Sequence, residues 1–317
     1  MKEPRRKDRK PQPSPEAARD KLLPELKKGQ YSDGHPLDEV QYLECKVILN
    51  GDRFTSVESF TRFAKLVRQA ADSAEIDFSR KGFKELRPQI REVLFLDTAD
   101  FKLYNHCFIL RRRVNYVDGF ATGDPEIVFK YRHPDLQTAA EVDVRPKIAG
   151  DYRVKFKAEV LPLKDRIGGM RMLYSHNVEF PLSTVRDLDP TSMATVVQKL
   201  PVLQALKTRP TDRIELVNAT AVEEVLLDIG RLDFGKGIAA KSNVSVWRTR
   251  GNQKPFVGEF AFQAKFQRGD ELHAVAKRRC EQFFVALQLL AEQWLSLGTT
   301  KTGSVYRLRG NPPTAHE

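Results

Sequence analysis

Residues 93–114 read VLFLDTADFKLYNHCFILRRRV. An apolar run, Val93 to Leu96, meets a polar turn at Asp97-Thr98-Ala99-Asp100, and a second strand-like run then ends in Arg111, Arg112 and Arg113. Successive side chains of a strand point to opposite faces, so three consecutive arginines place guanidinium groups on both sides of the sheet. Arg111 and Arg113 share one face and Arg112 takes the other. If that sheet has a closed side, an arginine aimed into it needs an anionic partner, because an unpaired buried charge costs several kcal/mol.

The same alternation recurs on both sides of this stretch. Residues 39–49 (EVQYLECKVIL) read as a first strand with Tyr42, Glu44 and Lys46 on one face. Residues 126–133 (EIVFKYRH), 139–145 (AAEVDVR), 152–161 (YRVKFKAEVL) and 172–180 (MLYSHNVEF) read as further strands. In the third of these, Tyr152, Val154, Phe156, Ala158 and Val160 alternate with Arg153, Lys155, Lys157 and Glu159, giving one greasy face and one charged face. Residues 214–217, 222–234, 239–248 and 254–266 continue the series, with Val257, Glu259, Ala261, Gln263 and Lys265 opposite Phe260 and Phe262. Residues 306–309 read as a last basic strand.

Helical spacing is confined to fewer places. Residues 56–74 carry Phe60, Phe63, Ala64, Leu66, Val67 and Ala70 three and four apart, and residues 271–297 form a long apolar-striped helix with Gly298 as its stop. Residues 191–207 read as two short helices broken by Pro201. If helices cover the greasy faces from outside, the charged faces have only the interior of a closed sheet left to them. A barrel with a charged lumen follows, and such a lumen repels itself unless carboxylates or a bound anion balance it.

Composition sets the limits around this reading. The 317 residues, 41% hydrophobic with 19 phenylalanines, suffice for a real core, and 53 basic against 42 acidic residues leave a net charge of +11 that favours polyanionic ligands. No apolar run approaches the length of a membrane-spanning helix, and the first residues lack the apolar core of a secretory signal. Cys45, Cys107 and Cys280 are too few and too scattered for a disulfide framework or a zinc ribbon, so a cytoplasmic protein is expected. Residues 1–36 are rich in Lys, Arg and Pro and read as a disordered basic tail, 37–310 as the folded domain and 311–317 as a second tail. The scattered histidines have no metal-ligand spacing.

Taken in order, these pieces resemble the CYTH family, also called the triphosphate tunnel metalloenzymes. The resemblance rests on an early acidic strand ending in lysine, the LFLDTADF segment with its arginine strand, the lysine strand EIVFK, the KTRPTDRIELV element, LLDIG, VGEFAF and Lys301 after the long helix. It implies a closed eight-stranded antiparallel barrel with helices packed outside. In the family, basic side chains inside the barrel hold a triphosphate and carboxylates hold Mg²⁺ or Mn²⁺.

Carried over by position, the resemblance puts Arg111, Arg113, Lys130, Lys155, Lys157, Arg209, Arg213, Lys241, Arg248 and Lys301 at the phosphates. It puts Glu44, Glu159, Asp228 and Glu259 at the metal, with Glu44 and Lys46 as the catalytic pair. Either Glu159 or the pair Glu141 and Asp143 fills the middle acidic slot. Two departures weaken the metal set, since Tyr42 stands where the family has a first-strand glutamate, and Ala261 and Gln263 follow Glu259 where further carboxylates are usual.

The implied activity is metal-dependent hydrolysis of inorganic triphosphate, a nucleoside triphosphate or a similar substrate. The alternative is a binding protein that holds polyphosphate or a nucleotide without turnover. RNA binding through the basic tail is a third reading, less favoured because no aromatic-plus-basic surface motif accompanies the charge. Oligomeric state is left open.

Overall fold

The computed structural model describes residues 39–81, 87–185, 191–265 and 273–309. The expected tails, 1–36 and 311–317, lie outside the described residues. Among the described residues, ten strands form in chain order: β1 (Tyr42–Leu49), β2 (Asp77–Ser79), β3 (Gln89–Asp97), β4 (Phe108–Val117), β5 (Phe120–His133), β6 (Arg153–Pro162), β7 (Met170–Pro181), β8 (Glu215–Gly235), β9 (Ile238–Thr249) and β10 (Pro255–Lys265). Six α-helices accompany them: α1 (Val57–Ser73), α2 (Lys102–Asn105), α3 (Leu136–Ala140), α4 (Met193–Lys199), α5 (Ala274–Leu290) and α6 (Lys301–Tyr306).

Nine strands close into a barrel in the order β8-β3-β4-β5-β7-β6-β1-β10-β9, with β9 returning to β8, while β2 pairs only with β8. The eight-stranded, wholly antiparallel expectation is corrected here. A ring with an odd number of strands cannot alternate direction all the way round, and β1 and β6 run parallel, with Glu44 beside Glu159. The long β8 replaces the two separate strands expected at 214–217 and 222–234. It serves both neighbours by bending, with Asn218 and Ala219 at positive φ and a register shift at Gly230. A side chain at Gly230 would meet the Phe78 ring at 2.4 Å, which is why β2 packs so closely there.

Two further expectations fail for local reasons. Residues 139–145 do not form a strand; Asp135 accepts a hydrogen bond from the Thr138 N–H and starts the short helix α3, after which the chain runs irregularly. Residues 306–309 are likewise not a strand, because Thr300 caps α6 by accepting from the Gly303 N–H and helix extends to Tyr306.

The greasy faces are outside, as the pattern requires. α1 and α5 cover β1, β8, β9 and β10, burying Phe60, Phe63, Val67, Phe283, Phe284 and Leu287 against Phe260, Phe262 and Phe234. A second cluster packs α4 and the turn at Pro201–Leu206 onto Phe129, Val178 and Phe180. Burying each such side chain contributes about 1.5–3 kcal/mol.

A third apolar cluster lies inside the barrel at one end. Ile48, Phe95, Ile109, Trp247 and Val257 lie on the same strand faces as the lumen charges and pack with Tyr104 of α2 and with Val305 and Tyr306 of α6. Asp97 holds this plug in place. Its carboxylate accepts hydrogen bonds from the backbone N–H groups of Thr98, Leu103 and Tyr104 at 2.7–2.9 Å and from the Tyr306 hydroxyl at 3.1 Å. Burial nonetheless raises its pKa to about 6, against those bonds. No helix among the described residues is long and apolar enough to cross a membrane.

Candidate functional site

The lumen beyond the plug is a cavity of about 320 Å³. Its wall includes Glu44 and Lys46 from β1, Arg91 from β3, Arg111 and Arg113 from β4, Lys130 and Arg132 from β5, Lys155 and Lys157 from β6, Glu179 from β7, Glu224 from β8, Glu259 from β10 and Lys301 from α6. Strand alternation brings most of them there: Glu44 and Lys46, Arg111 and Arg113, Lys130 and Arg132, and Lys155 and Lys157 each lie two residues apart on one strand face. This is a closed barrel with a charged lumen, as the CYTH resemblance implies.

Two pairs of glutamates organise the wall, each bridged by a lysine. Lys46 lies 3.0 Å from Glu44 and 3.0 Å from Glu159. Lys301 lies 3.0 Å from Glu224 and 2.9 Å from Glu259. The first pair gathers three further cations: Lys130 at 2.7 Å and Arg132 at 3.7 Å from Glu159, and Lys157 at 3.3 Å from Glu44. Ser175 also donates to Glu159, which is fully buried. The second pair adds Arg91 at 2.8 Å and the Trp247 indole N–H at 2.9 Å, both on Glu224.

The protonation states follow from these partners. Burial by itself would raise the pKa of Glu44, Glu159 and Glu224, but the neighbouring cations outweigh it: Lys157 and Lys46 for Glu44, Lys130 and Lys46 for Glu159, and Lys301 and Arg91 for Glu224. All three stay well below the usual carboxylate range. Lys46 is held above its ordinary value because Glu159 and Glu44 outweigh the cost of its burial. Lys130 goes the other way. Burial, together with Lys46 and Arg132, pulls it to about 7 although Glu159 opposes the shift.

The wall carries nine lysines and arginines against four glutamates, and Glu159 behind it makes five, so the lumen has four positive charges in excess when Lys130 holds its proton. Arg111 contributes most plainly to that excess. Its guanidinium has no ion pair among the described residues, and burial with Arg113 beside it pulls its pKa down to about 10. Arg113 pairs with Glu126 at 2.6 Å. Lys155 pairs with Glu179 at 2.9 Å, which brings Glu179 down to about 2 despite its burial.

Thus Glu44, Lys46, Arg111, Arg113, Lys130, Lys155, Lys157, Glu259 and Lys301 share one cavity, with Glu159 buried behind its wall. Of the two candidates for the middle acidic slot, Glu159 lies in the barrel, whereas Asp143 pairs with Arg145 and Glu141 accepts from Gln137 away from it. Asp228 and Lys241 pair at 2.6 Å on the inner face but nearer the open end, outside the cavity wall.

Three expected residues are elsewhere. Arg248 follows Trp247, so it faces outward, where it pairs with Glu223. Arg209 is exposed and pairs with Asp212, and Arg213 is exposed beside it, because that segment precedes β8 and belongs to no stave of the barrel. The sequence reading also missed Arg91, Arg132, Glu179 and Glu224. A period-two count from Val93, Lys130 and Asp228 points to Arg91, Arg132 and Glu224.

The residues present do not fit a divalent cation held by several carboxylates. Glu44 lies across from Gln263 and Glu259 across from Ile48, so the two are four residues apart along the seam, roughly 13 Å. Glu44 and Glu159 are adjacent, but the Lys46 ammonium already lies between them. Among the described residues, no three His, Cys, Asp or Glu side chains gather as a metal site. Hard cations need more oxygen ligands than this, supplied by protein, ligand or water.

No family model matches the sequence, and no curated protein matches it closely. Among solved structures, the chain is similar to a Hippeastrum protein, named as an adenylyl cyclase with a dominant triphosphatase activity, at 12% identity and a TM-score of 0.40 over 86% of this chain and 98% of that one. It is also similar to a Bacillus halodurans protein named as an adenylate cyclase (10% identity, TM-score 0.36, covering 83% and 95%) and to a Pyrococcus horikoshii protein (10%, 0.31, covering 82% and 96%).

Proposed function

We propose that this protein binds a linear triphosphate-containing anion inside the barrel. The single observation that carries the proposal is the excess positive charge of the lumen, centred on Arg111, whose guanidinium lines the cavity without an ion pair among the described residues. Guanidinium forks and ammonium groups match phosphate oxygens, and charge-assisted hydrogen bonds of this kind contribute about 1.5–3 kcal/mol each. A ligand with several negative charges relieves the repulsion that the wall otherwise stores. Calorimetric titration with tripolyphosphate in the presence of a chelator tests it. Saturable one-to-one binding that weakens in Arg111→Ala supports it, and binding unchanged in that variant refutes it.

The adjacency of Glu44 and Glu159 on the parallel seam favours a second reading, hydrolysis of the bound triphosphate with Mg²⁺ or Mn²⁺. Ligand oxygens and water would then have to supply most of the cation's coordination shell, because Lys46 lies between these two carboxylates. Phosphate release from tripolyphosphate and ATP with either metal measures this directly. Binding without release leaves the first reading standing and removes the second.

A further inference from the structure

A second cavity, of about 230 Å³, lies outside the barrel between α4 and the sheet. Its floor crosses four neighbouring strands, with Leu96 from β3, Leu110 from β4, Ile127 from β5 and Phe180 from β7. Leu110 and Arg112 flank the inward-facing Arg111, so this floor is the outer face of the same strands that line the lumen. Val196 and Lys199 of α4 form part of the opposite wall.

Two cations border this apolar space. Lys199 lines it, is half-buried and has no ion pair among the described residues. Arg112 lies directly across from Ile127, which in turn lies across from Phe180, so Arg112 continues the row that makes the cavity floor. Its neighbours on this face, Leu94, Leu110 and Ile127, are all apolar. Its Nε is buried with no hydrogen-bond partner, and the guanidinium has no ion pair among the described residues. A cation in such surroundings is costly unless an anion joins it.

We infer that this outer cavity binds a small anionic amphiphile, with an alkyl or aryl body held between α4 and the sheet and a carboxylate placed at Arg112 and Lys199. An apolar cavity of about 150 Å³ already accepts a benzene ring, so this one has room for a somewhat longer apolar body. An α-helix, about 10 Å across with its side chains, does not fit within it. Guanidinium and ammonium groups then supply the charge-assisted bonds to the head group. This site is independent of the triphosphate reading, because it shares no side chain with the lumen wall.

Calorimetric titration of octanoate and of octanol into the full-length protein tests it, with two variants alongside. Val196→Trp fills the cavity from α4 and keeps both cations, and Arg112→Gln combined with Lys199→Gln keeps the cavity and removes the charge. The expected result is saturable one-to-one octanoate binding with a Kd below about 1 mM, at least about tenfold weaker for octanol and at least about tenfold weaker in either variant. Octanol binding as tightly as octanoate, octanoate binding unchanged in either variant, or no saturable octanoate binding overturns the inference. If Val196→Trp loses the native circular dichroism spectrum, the double variant and the octanol comparison decide.

Discussion

The two lysine-bridged glutamate pairs look alike and do different work. Around Lys301 the charges balance: Glu224 and Glu259 face Lys301 and Arg91, with the Trp247 N–H as a neutral fifth partner. Around Lys46 they do not, since Glu44 and Glu159 are outnumbered by Lys46, Lys130, Arg132 and Lys157. A balanced group braces the plug. An unbalanced one holds its cations in place yet leaves field to spare for an anion. The ratio of partners, rather than residue type, separates scaffold from binding surface here.

Removing one carboxylate from each pair breaks the comparison most directly. Glu159→Gln leaves three cations facing a neutral amide in a buried site and is expected to cost about 3–5 kcal/mol in urea unfolding. Glu224→Gln keeps an acceptor for Trp247 and leaves Glu259 to hold Lys301, so about 1–3 kcal/mol is expected. Equal losses would mean that the two networks are equivalent.

Arg111→Ala should lower tripolyphosphate affinity about 10–100-fold by titration, without lowering stability in urea. The guanidinium has no ion pair among the described residues to lose, and its removal relieves the cost of its burial and the repulsion from Arg113 and Arg91, which together outweigh the attraction of Glu224 and Glu179.

Lys130 gives the unbalanced pair a pH dependence. Its pKa falls from 10.5 in an unperturbed lysine to about 7 in the folded protein, so between those values the unfolded chain holds the proton and the native protein does not. This residue's contribution to stability therefore rises with pH across that window. Anion binding has the opposite sense, because a nearby phosphate favours the charged form. Affinity should fall as pH rises above 7, by at most about tenfold per unit, with proton uptake visible as a buffer-dependent heat.

Arg112→Ala is expected to have the smallest effect. Arg112 lies between two cavity residues but is absent from the cavity wall, so tripolyphosphate affinity should change less than about threefold. Effects equal to those of Arg111→Ala would mean that β4 has the other register.

The charged faces are legible in the sequence, because strand alternation is a local property. It groups Arg111 with Arg113, Lys155 with Lys157 and Glu159, and Glu44 with Lys46. The same rule misleads where it is not applied strictly. Arg248 joins the expected phosphate set for its charge, although Trp247 beside it takes the inner face, and Asp228 joins the expected metal set although Glu224, four residues earlier, reaches Lys301. Arg209 and Arg213 have no periodicity to judge them by.

The sequence alone therefore determined which faces carry charge, where the outer helices begin and that the interior is basic, since each depends on residues near one another in the chain. Tertiary structure decided the rest. It made the ring of nine strands with a parallel seam, set Lys46 between Glu44 and Glu159, left Arg111 without an ion pair among the described residues, and drove Tyr306 into one end of the barrel. These depend on which strands become neighbours across more than a hundred residues of chain, and side-chain alternation carries no information about that choice.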